Sequence, residues 1–394
     1  MHTECSALRK GIVIVPVADL AGQPLAELFP SHSIEYAYRH LPWSCYRSQY
    51  AANGRLHQLL FHEQVTIINQ KNNEVCIEVP NVFYTTTRSN TPQTRYWTHA
   101  KNIIPLSALS DTDQSAIPPA ISFRDPATLT NRMIVTLMEP WYAKDLDLTF
   151  SAGTRFVKTP QKSKSNHIAV YAVDPRTRSI KTIAIPRQLI YHAHATHPQQ
   201  QIHDFLQLIQ RWAHAQSGSI GYVFGGCSYI QTHAKNTFNL CPSILTQHGL
   251  SQYERPNTSG IKTGLDCSNL ILRAAHIVGL PYFFKNTHTL AQKMRAIKPH
   301  ECIESGDLIW MPGHVIIISD AQHNQIIEAH SYDGGYGKVH EMPLHAIFKG
   351  IATCDDLHAA FKNGTALKRL NSKGIVQQTY QQFKILKLRS LWLT

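Results

Sequence analysis

Gly264-Leu265-Asp266-Cys267-Ser268-Asn269-Leu270, continued by Ile271-Leu272-Arg273-Ala274-Ala275-His276-Ile277-Val278-Gly279, is the stretch around which the chain is organised. Cys267, Leu270, Ile271, Ala274, Ala275 and Val278 recur at the three/four spacing of one helical face, and Gly279 is a natural stop. Asp266 suits an N-cap, which puts Cys267 in the first turn, where unpaired N–H groups and the macrodipole favour an anion. Such a position lowers a thiol pKa and exposes a thiolate at neutral pH. The same helix would also house a buried structural cysteine. The residues downstream separate the two readings.

The 394 residues suffice for two or three domains and a sizeable core. A hydrophobic share of 43% and a charged share of 16% describe a globular chain and exclude a disordered one. The net charge of +12 and pI of 9.3 favour an acidic partner: nucleic acid, an anionic membrane surface or an anionic cell-wall polymer. The densest basic runs, Lys158 to Lys164 and Lys384 to Arg389, are not interleaved with aromatics as a nucleic-acid groove requires, so no nucleic-acid partner is expected.

Cysteines at 5, 45, 76, 227, 241, 267, 302 and 354 form no CxxC pair and keep no regular spacing. That argues against a structural zinc site and a disulfide scaffold and favours a reducing compartment. At the N-terminus, Pro16 and Asp19 interrupt the apolar run Ile12-Val13-Ile14-Val15, which is too short for a secretory core or a membrane span. A cytoplasmic protein is expected, or an exported one whose leader has been removed. No transmembrane segment and no cofactor are expected.

Residues 11–20 read as a strand opening a small β-unit, joined by Leu59 to Ile68 and Val75 to Val79. Residues 30–56 read as an insertion, and Phe83 to Pro105 as a long Thr-rich polar loop. A Pro/Ser/Asp-rich linker at roughly 108–128 precedes a second set of strand signals: Met133 to Met138, Leu148 to Phe156, His167 to Val173 and Ser179 to Ile185. The first set has the spacing of a small barrel and the second that of a small barrel or sandwich. His192-x-His194-x-x-His197 has metal-binding spacing but no acidic or cysteine partner nearby, and in a chain with 23 histidines it reads as chance clustering; no metal is expected. Residues 199–215 follow as a helix with the apolar stripe Ile202, Phe205, Leu206, Ile209, Trp212 and Ala213. The cysteine helix comes next, and then short strands at Asp307–Trp310, Val315–Ser319 and Gln325–His330. Helices first and an antiparallel sheet afterwards make an α+β unit.

Three features sharpen the cysteine stretch. His314 follows Pro312-Gly313 and begins the apolar run Val315-Ile316-Ile317-Ile318, so it stands at a strand edge, where it can face a cysteine across a cleft and act as its base. Glu328 and His330 share a face of the neighbouring strand, and either can orient the far nitrogen of His314. Gly221-Tyr222-Val223-Phe224-Gly225-Gly226 can bring backbone and a tyrosine close to the cysteine.

In order and residue type, Tyr222 to Gly226, Asp266-Cys267-Ser268, Gly306-Asp307-Leu308 and Gly313-His314-Val315 resemble the NlpC-type family of papain-like cell-wall cysteine peptidases. The resemblance covers about 199–350, and the preceding β-units resemble the bacterial SH3-like domains of one branch. It implies a papain-like α+β catalytic domain at 198–394 behind two all-β SH3-like barrels, at 1–125 and 126–197. The implied activity is hydrolysis of the bond between γ-D-glutamate and the diamino acid of peptidoglycan stem peptides or muropeptides; a monomer is expected. Carried over by position, Cys267 is the nucleophile, His314 the general base and Glu328 the third polar residue, where histidine is commoner; His330 is the fallback. Tyr222, Asp266 and Ser268 line the site, and Tyr96 or Trp97 walls one end by analogy with the branch.

Members of that branch often favour short peptides with a free L-alanine amine and commonly carry Arg-Asp-Ser/Ala after the cysteine helix, whose acid holds the substrate amine. Here the segment is Lys285-Asn286-Thr287, and an amide lacks the charge to pair with an ammonium. The loop from Gly226 to Asp266 is also long, with room for a lid. Rival readings are an amidase or acyltransferase of the same fold and a silent wall-binding protein; the intact Cys267/His314 pair speaks against the second.

Overall fold

The computed structural model describes residues 9–41, 54–160, 166–193, 197–215, 220–230 and 262–392. The apolar run at 11–20 is split by Pro16 into two strands, Arg9–Val13 and Val17–Ala21, because proline supplies no ladder N–H. These enter a seven-stranded sheet in the order Arg55–Leu60, Val17–Ala21, Arg95–His99, Glu74–Glu78, Gln64–Lys71, Arg9–Val13, Ile103–Pro105. Every pairing in it is antiparallel, and the two outermost strands do not pair with each other, so the expected closed barrel is not formed.

The segment Phe83 to Pro105, expected as a loop, instead holds the hairpin Tyr84–Thr86/Ser89–Gln93 and the interior strand Arg95–His99. Its threonines are β-branched, and Thr85 and Thr98 are fully buried, so the polarity misled while the shape fitted a strand. Within the expected insertion, Ser33 caps a short helix, Ile34–Arg39. Residues 42–53 lie outside the described residues.

The expected linker is packed rather than free: Ile117 and Ile121 are buried, and Ser110 caps the helix Asp111–Ser115. In the second unit, Ile134–Leu137 pairs with Arg155–Val157 and Ile190–Tyr191. Two hairpins accompany it, Trp141–Ala143/Leu148–Phe150 and His167–Val173/Ile180–Pro186. Its core residues Phe150, Phe156, Val170 and Ile185 pack with Ile12, Phe61 and Ile104 of the first sheet, so the two β-units share one core. Of the histidine cluster, His194 lies outside the described residues; among those described, no group of His, Cys, Asp and Glu is gathered to hold a metal ion.

The remaining unit begins with the helix Pro198–Ala213, which has proline in its first turn, where the missing N–H costs nothing. The helix Cys267–Val278 is capped by Asp266, whose side chain accepts from Asn269 N, and ends at Gly279 with φ 80°. Beside it lies a five-stranded antiparallel sheet in the order Lys338–Pro343, Gln325–His330, His314–Asp320, Leu308–Met311, Lys384–Leu386. Beyond the sheet come a helix with a capping box, Cys354–Lys362, and the hairpin Leu367–Leu370/Val376–Tyr380, tied back by a bridge between Phe348 and Arg369. No helix among the described residues is long and apolar enough to cross a membrane.

The cysteine helix is not half-exposed as its stripe suggests. Ser268 through Val278 are all buried, with the helix Pro198–Ala213 and the strands His314–Asp320 and Gln325–His330 packed on one side and Arg273 facing the N-terminal unit on another. That second face is polar and satisfied: Arg273 donates to Glu63 at 2.8 Å and to the Cys227 carbonyl at 2.9 Å. The N-terminal unit is thereby built into the housing of the site.

Candidate active site

Two glycines set the approach to Cys267. Gly225 has φ 69°, and a Cβ there would meet the Arg55 carbonyl oxygen at 2.9 Å; at Gly226 a Cβ would meet the Gly264 carbonyl oxygen at 2.5 Å. The turn is closed by Asp266, whose Oδ2 accepts from Gly225 N at 3.1 Å and from Asn269 Nδ2 at 2.9 Å. The other oxygen, Oδ1, takes Asn269 N at 2.7 Å and lies 3.0 Å from the Ser268 hydroxyl, which also reaches the Lys285 carbonyl at 2.8 Å. Asp266 and Ser268 are thus engaged with the chain itself and frame the cysteine. Tyr222 is buried edge-on to Tyr332, ring centres 6.5 Å apart, and its backbone N–H donates to Gly337 O. Tyr96 is fully buried in the core and Trp97 packs on the short-helix cluster around Leu25, which corrects the expectation that one of them walls the site.

Cys267 is partly exposed at the head of its helix, with the backbone N–H groups of Val315 and Ser268 at its sulfur. Val315 follows His314, so the thiol lies against the first residues of the histidine strand. The helix terminus was expected to lower the thiol pKa; burial and then the Asp266 carboxylate outweigh those amides and push it up to about 12. Burial likewise lowers His314, against the opposing pull of Glu328. The resting pair is therefore thiol and neutral imidazole.

His314 Nε2 donates to Glu328 Oε2 at 2.5 Å. A carboxylate only accepts, so the proton sits on Nε2 and Nδ1 keeps the lone pair. Glu328 rather than His330 makes this contact; the His330 ring stands across that of His314 at 5.2 Å, with Nδ1 turned to the Ser331 carbonyl. Two partners of Glu328 were missed in the sequence. Arg369 Nη2 donates to Oε1 at 2.6 Å and His340 Nε2 to the same oxygen at 3.1 Å. Burial alone would raise Glu328, but the Arg369 charge and the two imidazole hydrogen bonds hold it well below the usual carboxylate range. His340 sits opposite Glu328 in the strand pairing and was readable from register; Arg369 arrives from a separate hairpin and left no local signal.

No protein-family model and no curated protein sequence matches the chain. Among solved structures, an NlpC/P60 family protein from Bacillus cereus superposes with a TM-score of 0.51 at 15% identity, covering 85% of this chain and 94% of that one. NlpC2 from Trichomonas vaginalis gives a TM-score of 0.29 at 9% identity over 86% of this chain and 95% of its own. The peptidoglycan hydrolase RipB from Mycobacterium tuberculosis gives 0.24 at 24% identity over 38% and 62%. At the first of these similarities, the chain shares the fold of an NlpC/P60 protein across most of its length.

Proposed function

We propose that the protein is a cysteine endopeptidase that hydrolyses the γ-D-glutamyl–diamino acid bond of peptidoglycan stem peptides or muropeptides. The observation that carries this reading is His314, held by Glu328 through Nε2, at the head of the strand whose Val315 N–H lies at the sulfur of a helix-head cysteine. Nδ1 of His314 takes the Cys267 proton as the sulfur attacks the γ-glutamyl carbonyl, and the Cys267 N–H helps to hold the oxyanion. The imidazolium then protonates the leaving amine, and His314 activates the water that frees the acyl group. Because thiol and imidazole rest uncharged, proton transfer accompanies attack rather than preceding it.

In this reading Tyr222, Asp266 and Ser268 shape the site, and the chain divides at 1–125, 126–197 and 198–394, with SH3-like ancestry for the two β-units. Asn286 adds a point on substrate choice. Its Oδ1 caps the helix Thr287–Lys293 through Thr289 N at 2.8 Å, and its Nδ2 donates to Thr85 O at 3.2 Å. It is not poised to hold a free amine, which favours muropeptides with a blocked N-terminus.

The test is incubation with L-Ala-γ-D-Glu-diaminopimelate, with its N-acylated form and with intact sacculi, beside Cys267→Ala, products being read by mass spectrometry. Cleavage of the N-acylated peptide ahead of the free one is expected, with none by Cys267→Ala. If all three stay intact, the endopeptidase reading fails and the amidase or acyltransferase reading takes its place. Cleavage of free peptides but not of sacculi would place the protein in recycling, in the cytoplasm.

A further inference from the structure

We propose that Arg369 is a positioning residue of this site: from the C-terminal hairpin its guanidinium neutralises Glu328, so that the carboxylate orients His314 without fixing a proton on it. This rests on the reading of Cys267 and His314 as nucleophile and base.

The geometry is specific. Arg369 and Glu328 are both 1% exposed, and Nη2 to Oε1 is 2.6 Å. The remaining guanidinium nitrogens, Nε and Nη1, find no hydrogen-bond partner among the described residues, so the polar contact of this side chain is with Glu328. One carboxylate oxygen serves Arg369 and His340; the other is left to His314 alone. The groups that surround this centre are His330 on the same strand, His340 and Tyr336 from the adjoining strand and turn, Tyr380 behind Arg369, and Cys267 from the helix.

A lone buried carboxylate beside an imidazole favours the imidazolium, which cannot accept a thiol proton. An arginine on that carboxylate removes the bias while leaving the hydrogen bond that sets tautomer and ring angle. Glu328 with Arg369 then acts as an uncharged acceptor. Without Arg369, the bare carboxylate keeps the proton on His314 to higher pH.

The experiment needs no substrate, so its outcome is separate from whether any peptide is cleaved. In protein labelled at histidine Cε1 and carrying Cys267→Ala, the His314 resonance is identified by its loss on His314→Gln and followed by NMR against pH. Arg369→Met should raise the His314 midpoint by about one pH unit or more. Arg369→Lys should restore most of the original value, and the double variant Glu328→Gln/Arg369→Met should titrate near the parent. Should Arg369→Met fail to fold, Glu328→Gln is compared with the double variant, and removal of the arginine should again raise the midpoint. An unchanged midpoint in both comparisons overturns the proposal and leaves Arg369 a packing residue.

Discussion

Asp19 and Glu328 are buried carboxylates held by buried arginines, one in the N-terminal sheet and one in the five-stranded sheet. Asp19 meets Arg55 Nε at 2.7 Å and Gln58 Nε2 at 2.8 Å. Gln58 carries that order onward, accepting from Cys227 N at 2.9 Å and donating to the Lys262 carbonyl at 2.7 Å. A guanidinium and an amide only donate here and neither serves as an acid or base, so this contact fixes geometry. Glu328 has the same arginine contact but adds two imidazoles. The identity of the third partner, not burial, turns an ion pair from a fastener into part of a proton-handling site.

The comparison breaks most visibly at Glu328. Glu328→Ala should lower turnover by roughly 10²–10⁴-fold, since His314 loses the acceptor that fixes its tautomer. Steady-state kinetics on the folded protein measures this, and an unchanged kcat would put His330 in its place. Asp19→Ala is the counterpart. It takes the carboxylate away from the buried Arg55, and breaking such a pair costs about 3–5 kcal/mol in denaturant unfolding, with kcat per folded molecule unchanged. Loss of kcat without loss of stability would contradict the division of labour.

Acid sharpens the comparison, because each region buries neutral histidines. Burial takes His62 in the first unit and His276 and His330 in the C-terminal unit down to about 3, and holds His57 well below its ordinary value. Between their unfolded value near 6.5 and those folded values, the unfolded chain binds protons that the folded one refuses. Their contribution is full above 6.5 and is lost as pH falls through that window, by up to about 1.4 kcal/mol per pH unit for each histidine. Urea midpoints from pH 7.5 to 4.5 should therefore fall steadily, and His62→Gln and His276→Gln should each flatten the slope to a similar degree. A flat profile down to 4.5 would contradict it. Smallest of all, Lys71→Ala breaks only an exposed pair with Glu27 and should leave the melting temperature unchanged within error.

Where residues act through neighbours in sequence, the site was legible. The N-cap, the cysteine and the terminal Gly279 define one helix, and alternation along Gln325–His330 puts Glu328 in reach of His314. Where they act through space, it was not. Arg369 reaches Glu328 from a hairpin outside any motif, and the sign of the Cys267 shift depends on burial in the folded chain, which no local pattern reports. The first β-unit reads as strands because β-branched runs do so locally, whereas barrel closure depends on which edges meet. Thr85 and Thr98 hid a hairpin and a strand inside an apparently polar loop, since composition reports polarity and not the shape that sheets select.

The central claim is that Cys267 is the nucleophile of a γ-glutamyl-directed site. The direct measurement is peptide mapping by mass spectrometry after treatment with one equivalent of an N-acylated γ-D-glutamyl chloromethyl ketone, with residual turnover followed in parallel. Cys302 is exposed, whereas Cys267 is partly covered and its thiol is held protonated, so simple accessibility favours Cys302. The account predicts label on Cys267 with proportional loss of turnover, despite that disadvantage. Label on Cys302 with turnover intact would contradict it.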